Sequence, residues 1–211
     1  MPLSVKLDPR DVGLLVVDMQ NGFCHPEGSR GQAFGADAVK NPQDIIPNVT
    51  KTIDLAHRLD IPVWFTQQVH YDDDVLRSRR RIPSHLERRG VKLELCRRGT
   101  WDAELLDEMK AIKEDRDEVV VKHRSSAFFQ TTLEVELRMK DVQVLVVLGT
   151  TTSFCVDSTI RDAYARDFDV VVPAECVADS DDAAHAATLA SIERFHGVVT
   201  DLPGLTAALD G

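Results

Sequence analysis

Three short polar stretches in this 211-residue chain follow apolar runs and carry residues able to do chemistry: Asp18 after Val12–Val17, Lys122 after Glu118–Val121, and Cys155 within Gly149–Val156. A thiol beside an ammonium and a carboxylate is a nucleophilic centre. The lysine charge would favour the thiolate, and the carboxylate could shuttle the proton. Cys155 also falls where a helix begins, and first-turn N–H groups and the helix dipole favour a negative sulfur. The local pattern equally suits a small buried residue in a strand-to-helix turn, since free cysteine is among the most buried residue types. The elements that carry the three residues must decide between these readings.

Those elements alternate. Near-continuous apolar runs at residues 12–17, 61–66, 118–121, 142–148, 169–173 and 197–200 read as strands buried on both faces. Between them lie helix-periodic segments: one from about Pro42 to Leu59 with Pro47 in its first turn, one from Trp101 to Ile112, and one through Met139 with Leu133, Val135 and Leu137 inward. A further helix follows the cysteine, another runs from about Asp181 to Phe195 behind an acidic start, and a short one ends the chain. Residues 21–42, dense in Gly and Pro, read as irregular loop, and residues 70–100 as a long surface excursion. This pattern predicts one domain over residues 1–211, a three-layer α/β/α, Rossmann-like fold with a mainly parallel sheet of about six strands. Ligands bind such sheets outside the carboxyl ends of the strands. Asp18, Gln67, Lys122 and Thr150–Thr151 all stand there, so they are expected to share one crevice.

Composition sets outer bounds. A formal charge of −10 leaves little basic surface for nucleic acid or anionic membrane. The exception, Arg77, Arg79, Arg80, Arg81, Arg88 and Arg89, reads as a solvated or subunit-contacting patch. No apolar run approaches the roughly 18 residues of a membrane span, and residues 1–11 do not read as a secretory leader. The four cysteines are far apart without a CxxC pair, which fits a cytoplasmic protein without a disulfide framework.

The stretches Val16–Phe23, Lys122–Phe129 and Gly149–Val156, with Arg161-Asp162-Ala163 after them, resemble the isochorismatase-like cysteine hydrolases in order and spacing over about residues 12–200. The resemblance implies that family's hydrolase fold, an Asp18–Lys122–Cys155 triad and a non-proline cis peptide between Thr150 and Thr151. It further implies an oxyanion hole made by the backbone N–H groups of Thr151 and Cys155, and no cofactor. Isochorismatase itself lacks the cysteine. Nicotinamidases carry an Asp-x-His metal pair, but Gln68 stands where the Asp would be, ahead of His70, so no metal is expected.

What remains resembles the carbamoyl- and ureido-cleaving amidases, of N-carbamoylsarcosine, ureidoacrylate or biuret type, acting on a small amide or ureido compound and assembling as dimers or tetramers. Phe23, Gln67, Gln68, Trp101, Phe128 and Thr150 are candidate substrate contacts, and Arg30, Arg97 or Arg98 could pair with a substrate carboxylate. The alternatives are a nicotinamidase-like amidase, a non-catalytic binding protein, or a redox protein using Cys155 with Cys24 or Cys176.

Overall fold

The computed structural model describes residues 5–71, 81–83, 87–89 and 95–210. Seven parallel strands form the sheet: β1 (Val12–Val17), β2 (Val63–Gln68), β3 (Glu118–Lys122), β4 (Val144–Thr150), β5 (Asp169–Pro173), β6 (Val177–Ala178) and β7 (Val198–Thr200). They lie in the order β3-β2-β1-β4-β5-β7, with the two-residue β6 pairing off β4. That short strand is the one beyond the expected six; two residues give no periodicity to read.

β1 sits at the centre, and all six of its residues are buried. Alternate side chains feed two cores. Leu14 and Val16 pack with Phe65, Ile53 and Leu148 on one face, while Leu15 and Val17 pack with Trp64, Val120 and Val147 on the other. Each such side chain contributes roughly 1.5–3 kcal/mol when fully buried. α4 (Ile46–Arg58), with Pro47 in its first turn, covers the first face through Val49, Ile53 and Ala56. α6 (Leu133–Met139) and α7 (Asp157–Tyr164) cover the second through Leu133, Leu137, Ile160 and Ala163.

Three readings of local structure need correction. Residues 21–42 are largely helical, in three short pieces: α1 (Asn21–Cys24), α2 (Ser29–Phe34) and α3 (Asp37–Asp44). Gly28 there serves close approach rather than disorder, because a Cβ on it would lie 2.0 Å from the Asn21 carbonyl oxygen. Trp101–Ile112 is a 3₁₀ turn, Trp101–Ala103, then a separate α5, Asp107–Ile112. Val135 is 61% exposed, since Leu133 and Leu137 are one helical turn apart and residue 135 faces away from both. Most of the excursion, with Arg77, Arg79 and Arg80 of the arginine patch, lies outside the described residues. No described helix is long and apolar enough to cross a membrane.

Candidate active site

The strand register explains why these residue types meet. Val17 pairs with Gly149 across β1 and β4, and Gln68 pairs with Lys122 across β2 and β3. Asp18 and the cysteine loop therefore leave the sheet side by side. Gly149 has φ 109°, and a Cβ on it would stand 2.1 Å from the Val17 oxygen, so only glycine lets the two strand ends approach so closely. Lys122 starts two strands away from Asp18, roughly 9.6 Å. A four-carbon stem is what bridges that gap. The positive φ of Asp18, 51°, ends the strand alternation. Continued extended, Asp18 would share the face of Leu14 and Val16, yet its carboxylate meets Thr66 and Lys122, whose strand neighbours Trp64 and Val120 belong to the opposite core.

Asp18 and Lys122 are both fully buried, with Nζ 2.8 Å from Oδ2. Thr66 Oγ1 donates to Asp18 Oδ1 at 2.6 Å and accepts the Asp18 N–H at 3.0 Å. Lys122 Nζ also donates to Gln68 Oε1 at 3.0 Å, Ser125 O at 3.0 Å and Arg124 O at 3.1 Å. Such a pair persists inside a protein only when its remaining donors and acceptors are met in this way. Burial works to lower the lysine pKa, but the Asp18 carboxylate and the Cys155 sulfur together more than offset it, so the ammonium is held. Asp18 Oδ2 accepts no aligned hydrogen bond, and the Cys155 thiol lies within interaction range of both Asp18 and Lys122.

Cys155 occupies a π-helical turn, Thr152–Val156, that follows a cis Thr150–Thr151 peptide, as the resemblance implied. The Phe154 and Val156 N–H groups both bond the Thr151 carbonyl, at 3.0 and 3.2 Å, a pattern that skips the Cys155 N–H. Asp179 braces the turn: its Oδ2 accepts from Ser153 N at 2.9 Å and Ser153 Oγ at 2.5 Å. His185 Nδ1 lies 3.0 Å from Thr152 Oγ1. Burial opposes the thiolate preference expected from the helix start and the lysine. Burial pushes the thiol from 9.0 up to about 12, against the pull of Lys122 and with the push of Asp18. The protonated sulfur is therefore favoured by burial.

The other candidates separate. Gln68 joins the cluster, and its Nε2 is buried without a partner. Gln67, one residue away and therefore on the other face, is tied to Ala103 O at 3.2 Å. Phe128 is 5% exposed in the second core with Cys155, 5.9 Å from Phe168 and beneath Arg166. Thr150 is buried and donates to Ala178 O at 3.2 Å. Phe23 is 8% exposed in the first core, while Trp101 is 43% exposed, edge-on to His25 at 5.1 Å. Trp101 is held in place because its carbonyl accepts from Asn21 Nδ2 and the adjacent Asp102 carboxylate accepts from Ser29 and Cys96. Of the three candidate arginines, Arg30 reaches the cysteine loop; Arg98 lies over Tyr71, and Arg97 is bridged to His70.

Thr66 and Asp179 escaped sequence reading. A threonine ending an apolar strand was a faint signal for the first. Asp179 was absorbed into an acidic helix start, whereas the side chain that caps the helix is that of Asp181. Among the described residues, no group of three or more His, Cys, Asp or Glu side chains is placed to hold a metal ion.

A buried thiol, carboxylate and ammonium at the carboxyl edge of a parallel sheet define an α/β protein of the cysteine-hydrolase type. Residues 12–203 match the isochorismatase domain, and the chain belongs to the isochorismatase family. It is 31% identical to the ureidoacrylate amidohydrolase RutB of Methylobacterium radiotolerans, over 99% of this chain and 83% of that one. Its fold superposes on a cysteine hydrolase from Pseudomonas syringae pv. phaseolicola with a TM-score of 0.83 at 22% identity, covering 100% of this chain and 97% of that one. An N-carbamoylsarcosine amidase from Thermoplasma acidophilum aligns at TM-score 0.72 and 25% identity, over 90% and 96% of the two chains.

Proposed function

We propose that this protein is a cysteine amidohydrolase that cleaves a small amide, carbamoyl or ureido C–N bond, with Asp18, Lys122 and Cys155 as its catalytic residues. The reading rests on one observation, the buried cluster in which those three side chains meet. Burial favours the protonated thiol, so attack on a carbonyl calls for a base to take its proton, and the Asp18 carboxylate interacts with that sulfur.

The steps follow from that constraint. The Cys155 proton passes to Asp18 as Sγ bonds the carbonyl carbon, and the C=O electron pair moves onto oxygen. Backbone N–H groups of Thr151 and Cys155 receive that oxyanion; losing one such donor typically costs about 10²–10³ in rate. As the C–N bond breaks, Asp18 returns the proton to nitrogen, releasing ammonia or an amine and leaving a thioester. Asp18 next takes a proton from water, the resulting hydroxide attacks the thioester, and the sulfur regains a proton. Lys122, ion-paired with Asp18 while its three donors go to Gln68 and two backbone carbonyls, keeps its proton throughout and holds Asp18 in place. The unpartnered Gln68 Nε2 is a ready donor to a ureido oxygen, and Trp101, Phe23 and Thr150 are its companions in substrate binding.

The substrate class follows the relatives' names, ureidoacrylate amidohydrolase and N-carbamoylsarcosine amidase. A cytoplasmic homo-oligomer completes the proposal, supported by four free thiols and by exposed Val119 and Val121 on the edge strand β3. The test is ammonia release from a panel of N-carbamoyl acids, ureas and simple amides, with mass spectrometry of the acid-quenched enzyme. The expected result is an acyl adduct on the Cys155 peptide. Ammonia release that persists in Cys155→Ala overturns the mechanism.

A further inference from the structure

Lys122 and Cys155 leave the sheet from β3 and β4, and both β2 and β1 stand between those strands. No strand register therefore fixes the distance from ammonium to sulfur. The segments that follow the two residues do meet, and one side chain joins them. Thr159, in the first turn of α7 and fully buried, donates from Oγ1 to the Cys155 carbonyl at 2.7 Å and accepts the Ala127 N–H at 3.0 Å. The first of these bonds is ordinary. Thr50, Thr52 and Thr206 also reach back to a carbonyl four residues earlier, and such bonds do little for a helix beyond bending it. The second is not ordinary: among the described residues, only Thr159 of these four also accepts a backbone N–H from another segment.

Ala127 lies in residues 123–132, the irregular link between β3 and α6, and is completely buried there. A buried N–H needs an acceptor. Two and three residues earlier the same link supplies Ser125 O and Arg124 O to Lys122 Nζ, at 3.0 and 3.1 Å. Ala127 and Phe128 also pack in the core that holds Cys155, but apolar packing is non-directional. The hydroxyl supplies direction. It ties the carbonyl of the nucleophile to the loop that holds the ammonium.

We propose that Thr159 is a positioning residue that sets the separation of Cys155 and Lys122, coupling the nucleophile to the nearby positive charge through one hydroxyl. Its effect on turnover rests on the amidohydrolase reading above; its effect on the thiol does not. With the link cut, the two loops are free to drift apart, and the pull of the ammonium on the sulfur weakens. A misplacement of about 1 Å at reacting groups costs on the order of a hundredfold in rate.

The test uses three variants. Thr159→Val removes the hydroxyl and keeps the side-chain shape. Thr159→Ser and Thr159→Ala both lose the methyl and differ only in the oxygen, so that pair decides the matter if the valine variant does not fold. On any amide the wild type hydrolyses, Thr159→Val and Thr159→Ala should lower kcat by roughly 10- to 100-fold with KM within about twofold. Thr159→Ser should restore most of that loss. Equal kcat in Thr159→Ser and Thr159→Ala, or a loss carried by KM, overturns the proposal. Alkylation of Cys155 by iodoacetamide, followed by mass spectrometry between about pH 7 and 9, needs no turnover and tracks the thiolate fraction. Thr159→Ala should react about threefold or more slowly than Thr159→Ser, part of the roughly 10- to 1000-fold that an adjacent opposite charge gives a titrating group. A merely loosened core does the reverse, because greater access speeds alkylation. Equal or faster alkylation of Thr159→Ala refutes the coupling, whereas slower alkylation upholds it even if the wild type turns over no amide and the amidase reading falls.

Discussion

Two thiols neighbour Asp18, one at its backbone carbonyl and one at its carboxylate. Cys24 Sγ lies 4.0 Å from the Asp18 backbone carbonyl, fully buried in the first core. Cys155 belongs to the second core, 4% exposed, and interacts with the Asp18 carboxylate and the Lys122 ammonium. Burial pushes both thiols to about 12, so neither acidity nor exposure distinguishes them. What differs is the group within reach. A carbonyl oxygen can only accept a weak S–H bond, whereas a carboxylate can remove the proton at the moment of attack. Reactivity here is a property of neighbours rather than of the resting thiol.

The contrast is easiest to break at the sulfur itself. Cys155→Ala should lower ammonia release by more than about 10⁴-fold, as expected when a nucleophile is removed, while Cys24→Ala stays within about tenfold and loses stability instead, as a small core truncation does. Paired rate and denaturant-midpoint measurements on the two variants check this; comparable rate losses would erase the distinction.

Lys122→Met tests the charged neighbour. It leaves Asp18 buried without its counter-ion, so unfolding free energy should fall by about 3–5 kcal/mol, together with most of the activity. Thr66→Val removes the hydroxyl that donates to Asp18 Oδ1 and accepts its N–H, for a loss of about 1–3 kcal/mol. Its activity should fall by roughly tenfold through kcat, since binding groups are untouched. A KM effect alone would remove Thr66 from the positioning of the base.

A last effect is one the two thiols share. Each ionises at 9.0 when unperturbed and at about 12 in the folded chain. Between those values the unfolded chain binds fewer protons, so stability is full below pH 9.0 and declines as pH rises toward 12. Cys24→Ala and Cys155→Ala should flatten that decline by similar amounts in denaturant titrations across the range. A steep residual slope in one variant alone would show that the two thiols are not equivalent at rest.

Much of this was legible beforehand. The near-continuous apolar strands announced a parallel sheet, although the expected burial on both faces fails at the edge strand β3, where Val119 and Val121 are exposed; the polar residues ending the strands meet at one edge. Asp18, Lys122 and Cys155 were readable for that reason, with the family motifs reinforcing them. The short helices α1 to α3 were not, because glycines that mark a loop in local pattern here allow close packing, Gly28 against the Asn21 carbonyl and Gly31 against the Pro26 carbonyl. That Gln68 rather than Gln67 meets Lys122 was not readable either, because side-chain direction is set by what packs against it.

The amino-acid sequence by itself determined which groups arrive at the carboxyl edge, since strand position follows from hydrophobic pattern alone. Only the tertiary structure decided that Thr66 bonds Asp18, that Asp179 braces the cysteine loop, that burial opposes the Cys155 thiolate, and that Arg30 stands beside Thr151. Each of those depends on partners dozens of residues away and on how much water burial removes, and neither is written in local pattern.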